Sequence, residues 1–551
     1  MIKNYQFLKV YLKNIKLEII IIILLGLIVA SIEIYMPLLI QQIVDKGVLK
    51  KDFNYVAIIS LYLALLYVFN ALVSASLNIL FSKTSIKVVT NIKKDIFTRV
   101  LRFPVSFFDK NKTGYVISRI DEIDTLNSLF SPIFMNFLKS VFVFVGVFII
   151  VLKIKWELLL IALLFMPLFY LITKKTSKEI NSSSRELNEF TAEATGEFHE
   201  SISALIEVKS FKLENKKESR IKEYISLLSN KILQRNIVSV IGNESIVVLV
   251  MLSKCIFIML IGYYIIEGEL TVGSYFSLLA YVSSLFIPIQ MLSSINLSIQ
   301  PAVAVLSRLN FFLDAVTEDE MKGTHSMNEI HEIKFENVTF IYPNSKKYVF
   351  QNINFSLNTK KNLYIYGPNG SGKTTIIKLL LGFYNSYDGK IMLNEHDIRD
   401  IDLSSLRREI GVVSQKIQLF SGSLIDNITL WDEEITKEEL VHILDGYGLS
   451  NIITENKYDN ISELGKNLSG GQIQEIALAR VIFKNPSLFI FDEPTSNLDY
   501  QNKLKFIEIL HKLENKMCII ITHDDFLISN LDRERNMILD ITNLERKLVY
   551  S

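Results

Sequence analysis

The sequence predicts an α-helical transmembrane domain with six spans, followed by an α/β domain of the P-loop type. Three observations support this fold class. Half of the residues are hydrophobic and the mean hydropathy is +0.30, which is high for a soluble protein. The long apolar runs lie within about the first three hundred residues, whereas the remainder alternates like a soluble α/β domain. One glycine-rich loop, Gly367–Thr375, stands between a β-rich run and the start of a buried helix.

Six apolar stretches are long enough to cross a bilayer, because about 20 mostly apolar residues span ~30 Å of hydrocarbon. They are Leu17–Ile40, Tyr55–Phe81, Phe130–Val151, Leu158–Thr173, Val238–Ile265 and Val272–Leu297. An even number of spans puts both termini on one side. Lysines precede the first span, and basic residues follow the second and fourth, which places that side in the cytoplasm. Lys153 and Lys155 run against this rule, but their loop is short.

Two cytoplasmic connections, after spans two and four, are each about 50 to 60 residues long, and structureless loops of that length are uncommon. We therefore expect the spans to continue as long helices beyond the membrane, joined by short turns. Aromatic residues such as Phe107, Phe108 and Phe211 fall at these turns. They suggest a docking surface, and a solvated turn is the alternative.

Four ionisable residues fall within or near the spans: Glu33, Lys139, Glu244 and Lys254. A charge at the bilayer centre costs roughly 2.5–3.5 kcal/mol on insertion scales, so such residues normally face a bundle interior or water. They either line a polar transport cavity, or snorkel to the surface or form an internal ion pair. The sequence leaves their roles open.

The glycine-rich loop fits the pattern G-x-x-x-x-G-K-[ST] in the strand–loop–helix context that a phosphate-binding loop requires. Its glycines allow backbone N–H groups to turn onto an anion, while Lys373 and the helix N-terminus add positive charge. Thr374 is the natural Mg²⁺ ligand. The residues predicted to contact the nucleotide here are Gly367, Asn369, Gly370, Gly372, Lys373, Thr374 and Thr375. The chain is therefore expected to bind a nucleoside triphosphate.

Polar residues end several buried strands downstream. The apolar run Leu488–Phe491 ends in Asp492 and Glu493, two carboxylates that suit a metal ligand and a base for attacking water, respectively. Gln415 ends a second such strand. His523 follows a third, where it would reach the γ-phosphate by a hydrogen bond.

A second glycine loop precedes the helical run Ile473–Phe483. The residues of this loop predicted to contact a nucleotide are Ser469, Gly470, Gly471 and Gln472. Since one phosphate loop already exists, this one serves either a second nucleotide or the far side of the same nucleotide in a dimer. Tyr342 follows the first strand of the domain, where it either stacks on an adenine or is an ordinary strand-end tyrosine.

Composition excludes several function classes. The net charge of +1 gives no indication of nucleic acid as a partner. Cys255 and Cys518 lie in different halves and offer neither a disulfide framework nor a metal-ligand spacing.

Taken in order, these motifs resemble those of the ABC transporter family, specifically a half-transporter of the type IV exporter class, over essentially the whole chain. The matching segments are Tyr342 for the A-loop, Gly367–Thr375 for Walker A, Gln415 for the Q-loop, Leu468–Gln472 for the signature, Leu488–Glu493 for Walker B, Ser496–Asp499 for the D-loop and His523 for the switch histidine. Phe107–Gly114 and Phe211–Arg220 resemble the coupling-helix regions. Glu463 and Gly465 resemble the X-loop, although Ser462 and Leu464 depart from its pattern.

Residues 316–331 are mostly charged and polar, which indicates a linker. With the resemblance, it separates a transmembrane domain over residues 1–315 from a nucleotide-binding domain with a helical subdomain over 332–551. The resemblance also implies two chains that sandwich ATP between Walker A of one and the signature of the other. Glu493 would be the general base and His523 the linchpin, with Asp499 also at the nucleotide. The implied Mg²⁺ ligands are Thr374, Gln415 and Asp492.

The expected function is ATP-driven export, by alternating access across a bacterial cytoplasmic membrane, of a peptide or an amphipathic small molecule. Because Glu493, His523 and the signature are intact, two copies would build two competent sites, which favours a homodimer over a heterodimer. The alternatives are a lipid flippase or multidrug exporter, and a nucleotide-gated channel or regulator. A soluble ATPase acting on nucleic acid is excluded if the six spans are real.

Overall fold

The computed structural model describes residues 10–111, 113–130, 132–321, 323–343, 345–359, 361–368, 370–432, 434–454, 460–462, 465–496, 498–524, 526–527 and 536–541. The chain divides into two compact units. The helical unit comprises Met1–Thr98 and Ile117–Asp314, and the α/β unit comprises Arg99–Val116 and Ala315–Ser551. The α/β unit therefore includes a piece of the first cytoplasmic connection.

Nine α-helices lie between Lys16 and the first strand in the described part of the chain. They are α1 (Lys16–Gln42), α2 (Phe53–Val100), α3 (Val105–Lys110), α4 (Thr113–Asp121), α5 (Pro132–Ile154), α6 (Trp156–Ser203), α7 (Leu205–Ser210), α8 (Glu214–Ile266) and α9 (Val272–Leu313). A π-helical turn, Ile43–Val48, extends α1, and a 3₁₀ helix, Glu122–Phe130, follows α4. Among the described residues, six helical segments are long and apolar enough to cross a membrane, which confirms the predicted spans.

The spans continue as long helices, as predicted. Helices α2 and α6 have 48 residues each and α8 has 53. At 1.5 Å per residue these are roughly 70–80 Å long, more than twice the ~30 Å hydrocarbon thickness. In α6 no proline follows Pro167, so nothing in the sequence breaks the helix where it turns from apolar to polar. Phe211, just beyond α7, is 72% exposed.

The core of the helical unit lies among α5, α6, α8 and α9. Phe169 and Phe286 pack with ring centroids 5.1 Å apart, and both are almost fully buried. The Tyr281 hydroxyl donates to the carbonyl of Ile34 at 2.7 Å, which satisfies a polar group in an apolar interior. The four helices thus bury their contact faces against one another.

The four ionisable residues of the spans separate into two groups. Lys139 Nζ lies 2.9 Å from Glu33 Oε1, which is an internal ion pair between α5 and α1. Glu244 is exposed and Lys254 half-buried, and neither has a salt bridge to any described residue. The pairing of Glu33 with Lys139 matches the ion-pair alternative left open by the sequence.

Nine strands lie in the described part of the α/β unit. They are β1 (Glu332–Ile341), β2 (Tyr348–Asn358), β3 (Asn362–Tyr366), β4 (Asp388–Leu393), β5 (His396–Asp397), β6 (Ile410–Val413), β7 (Leu488–Asp492), β8 (Met517–Ile521) and β9 (Asn536–Asp540). Four form an antiparallel sheet in the order β2-β1-β4-β5. The other five form a parallel sheet in the order β6-β7-β8-β3-β9.

Helices of the α/β unit follow the strands. They are α10 (Lys373–Leu380), α11 (Leu403–Arg408), α12 (Leu424–Thr429), α13 (Lys437–Asp445), α14 (Asn451–Thr454), α15 (Gly470–Lys484) and α16 (Tyr500–Lys512). Every residue of β7 and β8 is buried, as expected for parallel strands covered on both faces. Because the carboxyl ends of parallel strands share one edge, the residues after β3, β6, β7 and β8 converge there.

Candidate nucleotide-binding site

The phosphate-binding loop leaves β3 and enters α10. Gly370 and Gly372 have positive φ angles of 81° and 94°, and Gly372 caps α10. A Cβ on Gly372 would lie 2.6 Å from the side chain of Val349, so both conformation and space require glycine there. The buried ammonium of Lys373 donates to the carbonyls of Gly367 and Pro368. The predicted ligand Asn369 lies outside the described residues.

A hydroxyl and a carboxylate meet beside this loop. Thr374 Oγ1 donates to Asp492 Oδ2 at 3.0 Å, although the two residues are 118 positions apart. Burial raises the pKa of the Asp492 carboxyl, and the bond from Thr374 opposes that effect. Together with the Gln415 amide, these groups form an all-oxygen donor set of the kind that Mg²⁺ prefers. The residues present therefore fit the predicted metal.

The Glu493 carboxylate lies between an amide and an imidazole. Gln415 Nε2 donates to Glu493 Oε2 at 2.7 Å, and His523 Nδ1 lies 3.5 Å from Glu493 Oε1. The Glu493 backbone has φ 53°, a conformation that costs energy for a non-glycine residue. Its N–H donates to the carbonyl of Ile521 at 2.9 Å, which holds this conformation in place. The structure thus brings Gln415, Glu493 and His523 together at one sheet edge.

A cavity of about 170 Å³ adjoins these carboxylates. Asp492, Glu493 and Gln415 line one part of it, and Ser496 and Gly470 line another. The Glu493 side chain is 10% exposed, whereas that of His523 is 58% exposed. The carboxylate is therefore shielded from bulk solvent, while the imidazole is accessible.

Tyr342 packs against the phosphate-binding helix. Its hydroxyl lies 2.9 Å from Thr375 Oγ1, and Lys378 Nζ lies 5.5 Å from the centre of its ring. The ring meets that of Tyr384 edge-on, with centroids 5.4 Å apart and an interplanar angle of 85°. A ring in this position is close enough to the loop to take part in base stacking.

Tyr384 connects this aromatic pair to α3, the short helix of the first cytoplasmic connection. The Tyr384 hydroxyl donates to Asp109 Oδ2 within the α/β unit. Burial and this bond raise the pKa of Tyr384, so the phenol stays protonated and remains a donor. Sequence reasoning missed the contact, because its partners are 275 residues apart and no local pattern links them.

The second glycine loop begins α15 through a capping box. Ser469 Oγ accepts from the N–H of Gln472 at 3.3 Å, and Gln472 Oε1 accepts from the N–H of Ser469 at 2.7 Å. Gly470 and Gly471 form the first turn, where backbone N–H groups without helical partners suit an anion. Asp499 similarly caps α16 by accepting from the N–H of Asn502 at 2.9 Å.

The charged segment predicted as a linker is folded onto the α/β unit. Arg407 holds Glu318 by two bonds, of 2.7 and 2.9 Å. The next two acids face the first cytoplasmic connection, with Asp319 2.9 Å from Arg102 and Glu320 3.2 Å from Arg99. This acidic turn, Glu318–Glu320, therefore joins Arg407 to the end of α2. The sequence showed its charges but not their partners.

The predicted X-loop lies partly within the described residues. Ser462 and Gly465 are described, and Gly465 has a positive φ of 71°. Glu463 and Leu464 lie outside the described residues, so their predicted role stays a prediction.

A phosphate-binding loop, shielded carboxylates at the end of β7 and a second helix that begins with two glycines, all following six helices that could span a membrane, define a membrane-embedded nucleoside triphosphatase. Residues 19–289 match the family model described as the ABC transporter transmembrane region. Residues 350–496 match the model described as ABC transporter. The chain belongs to the ABC transporter family and is an integral membrane half-transporter of the exporter type that binds and hydrolyses ATP.

Similar proteins extend over nearly the whole chain. A Bacillus subtilis (strain 168) protein described as a candidate multidrug export ATP-binding/permease protein is 26% identical over 574 residues, covering 100% of this chain and 97% of the relative. An ATP-dependent lipid A-core flippase of Syntrophus aciditrophicus (strain SB) is 27% identical over 516 residues, covering 92% of this chain and 85% of the relative. The solved structure of a bacterial Atm1-family ABC exporter with ATP bound has the same fold, with a TM-score of 0.81 and 21% identity. The match covers 96% of this chain and 94% of that chain.

Proposed function

We propose that two copies of this chain use ATP hydrolysis to export an amphipathic small molecule or a peptide across the cytoplasmic membrane by alternating access. The observation that carries the proposal is the cluster of Gln415, Glu493 and His523 beside Thr374 and Asp492. All groups needed to position ATP and activate water are present. A gated channel would not require this complete set.

The phosphate-binding loop positions the triphosphate. Backbone N–H groups of Gly370 and Gly372 and the ammonium of Lys373 would hold the phosphate oxygens, and Tyr342 would stack on the adenine. Thr374, Asp492 and Gln415 would hold Mg²⁺, which neutralises charge on the phosphates when bound. Asp492, as a ligand, acts in its ionised form.

Glu493 is the proposed general base. Its carboxylate accepts a proton from the attacking water, and the Gln415 amide and the His523 imidazole fix its orientation. The exposed imidazole has room to donate to the γ-phosphate. The positive φ of Glu493 is a strained conformation for a non-glycine residue, and such strain is concentrated at active sites.

The second nucleotide contact comes from the partner chain. Ser469 and Gln472 hold the start of α15 by their capping box, and the first-turn N–H groups of Gly470 and Gly471 would bind a phosphate arriving from another subunit. Two identical chains would complete two equal sites, which supports a homodimer, with a heterodimer as the alternative. Asp499 lies at the start of α16, where it would contact the same interface.

The cargo class rests on the helical unit and the named relatives. Because Glu33 and Lys139 neutralise each other, they do not require a charged cargo. One relative is named for multidrug export and another as a lipid A-core flippase, which supports an amphipathic molecule as the cargo, with a lipid as the alternative. Domain boundaries of 1–315, 316–331 and 332–551 are proposed for this organisation.

The test is vanadate-sensitive ATP hydrolysis by this chain, purified alone in lipid nanodiscs. We expect activity in the wild type and a loss of about 100-fold or more in Glu493→Gln, because a general base contributes roughly 10²–10⁴ in rate. Glu508→Gln is the matched control, since Glu508 is an exposed acid on α16. Activity that survives in Glu493→Gln would exclude Glu493 as the base. No activity in the wild type would contradict a self-sufficient homodimer.

A further inference from the structure

A cavity of about 750 Å³ opens among α5, α6 and α9 of the helical unit. Its walls include the apolar side chains of Val141, Phe144 and Met166. Its volume falls within the ~300–1,000 Å³ typical of small-molecule sites. Nothing in the nucleotide chemistry uses this cavity, so its occupant has to be sought among the molecules that reach a membrane interior.

Charge is confined to one end of this cavity. Tyr170, Lys174 and Lys178 recur at four-residue spacing, so they lie on one face of α6, and all three line the cavity. Lys174 Nζ lies 5.6 Å from the centre of the Tyr170 ring. Phe144 and Met166 provide the apolar part of the lining.

With the predicted orientation of the spans, the cationic end falls at the cytoplasmic surface of the membrane. Helix α6 begins at Trp156, so Lys178 is roughly 33 Å along it at 1.5 Å per residue, beyond the ~30 Å of hydrocarbon. Met166 is only about 15 Å along the same helix and therefore lies at mid-membrane depth. The cavity thus matches a molecule with an apolar tail in the bilayer and a headgroup at the inner surface.

The two lysines carry uncompensated charge. Lys139, on the adjoining helix α5, is neutralised by Glu33. Neither Lys174 nor Lys178 has a carboxylate partner among the residues that the structure describes. Two unpaired ammonium groups beside an apolar wall attract an anionic headgroup, because each basic residue at the membrane surface adds to the attraction.

We propose that this cavity is a loading site for an anionic amphipath, whose headgroup binds Lys174 and Lys178 and whose tail packs on Phe144 and Met166. The inference rests on the proposed export function and specifies its cargo class. A cationic or purely polar cargo does not fit this arrangement.

The test measures binding of dodecyl phosphate to the full chain in nanodiscs of zwitterionic lipid. Lys174→Gln/Lys178→Gln should weaken binding by about tenfold or more. Lys175→Gln is the matched control, because Lys175 is an exposed neighbour on the same helix that does not line the cavity. Lys174→Arg/Lys178→Arg keeps both charges and should bind within about threefold of the wild type, which separates charge from misfolding.

Three ligands separate the possible sources of binding. Dodecyl phosphate should bind, dodecyltrimethylammonium should not, and inorganic phosphate should bind at least about tenfold more weakly because it lacks the tail. Dodecyl phosphate should also raise ATP hydrolysis over each protein's own basal rate in the wild type and in Lys175→Gln, and not in Lys174→Gln/Lys178→Gln.

Four results would overturn the loading site. They are equal weakening by Lys175→Gln, tight binding of the cationic amphipath, tight binding of inorganic phosphate, and binding without any stimulation of a wild type that hydrolyses ATP. Absence of hydrolysis in the wild type is a different failure. It contradicts the proposed function, while the binding measurements still report whether Lys174 and Lys178 hold an anion.

Discussion

The two units of this transporter stabilise lysine side chains by different means. In the α/β unit, Lys373 is 6% exposed and donates to carbonyls five and six residues earlier, on its own loop. In the helical unit, Lys139 pairs with Glu33, 106 residues away on another helix. In the first arrangement, a short sequence motif supplies both the lysine and its hydrogen-bond partners. The second arrangement forms only when the helices pack. The partner of the lysine can therefore be identified from the local sequence in the α/β unit but not in the helical unit.

The largest effect is expected from a change in the phosphate-binding motif of the α/β unit. Gly372→Val should abolish ATP binding, because its Cβ would lie 2.6 Å from Val349 and φ 94° is strained for any L side chain. Binding of a fluorescent ATP analogue to the purified chain measures this. Gly114→Val is the control, since a Cβ there meets nothing within 4 Å. Wild-type affinity in Gly372→Val would show that the loop is not constrained by local geometry.

Removing one partner of the Glu33–Lys139 ion pair tests the arrangement that depends on helix packing. Glu33→Gln leaves Lys139 without its carboxylate within the membrane, and we expect a loss of about 2–3 kcal/mol in unfolding free energy. Titration of the membrane protein with a denaturing detergent measures the loss. The double variant Glu33→Gln/Lys139→Gln should recover most of it, because both charges are then absent.

Lys254→Gln provides the matched control for this pair. Lys254 is half-buried in α8 and has no salt bridge to a described residue. Its removal should change the unfolding free energy by less than about 0.5 kcal/mol. A loss as large as that of Glu33→Gln would mean that any polar change in a span is costly, whatever its partner.

The contrast explains which parts of the molecule the sequence revealed. The six spans follow from hydropathy, and the P-loop from a strand–glycine–helix pattern, since both signals lie within a few dozen neighbouring residues. The convergence of Gln415, Glu493 and His523 followed because each ends a parallel strand. The Tyr384–Asp109 bond and the Glu318–Arg407 pair involve residues with no shared local pattern, so they required the folded chain.

Tyr384→Phe tests whether the long-range bond to α3 matters for coupling. The change removes the donor to Asp109 but keeps the ring that packs on Tyr342. Loss of one hydrogen bond to a carboxylate is worth about 1.5–3 kcal/mol, so cargo-stimulated hydrolysis should fall several-fold relative to basal hydrolysis. The ratio of the two rates is the measurement.

Tyr387→Phe is the control for this change. Tyr387 is a buried tyrosine three positions along, and its hydroxyl faces Asp397 at 3.5 Å rather than α3. It should keep the wild-type ratio of stimulated to basal hydrolysis. An unchanged ratio in Tyr384→Phe would show that the bond to Asp109 holds α3 in place but does not couple cargo binding to ATP hydrolysis.

The smallest effect is expected at the acidic turn. Arg407→Gln removes both bonds to Glu318, and the guanidinium also lies 5.0 Å from the centre of the Phe383 ring. Because both side chains are partly exposed, we expect a loss of about 1 kcal/mol or less in the stability of the α/β unit, seen as a shift of a few degrees in thermal unfolding. Arg408→Gln, the next residue on α11, should shift it less. If both variants behave alike, general charge rather than the bidentate pair stabilises the turn, and this long-range contact would differ in kind from the Glu33–Lys139 pair.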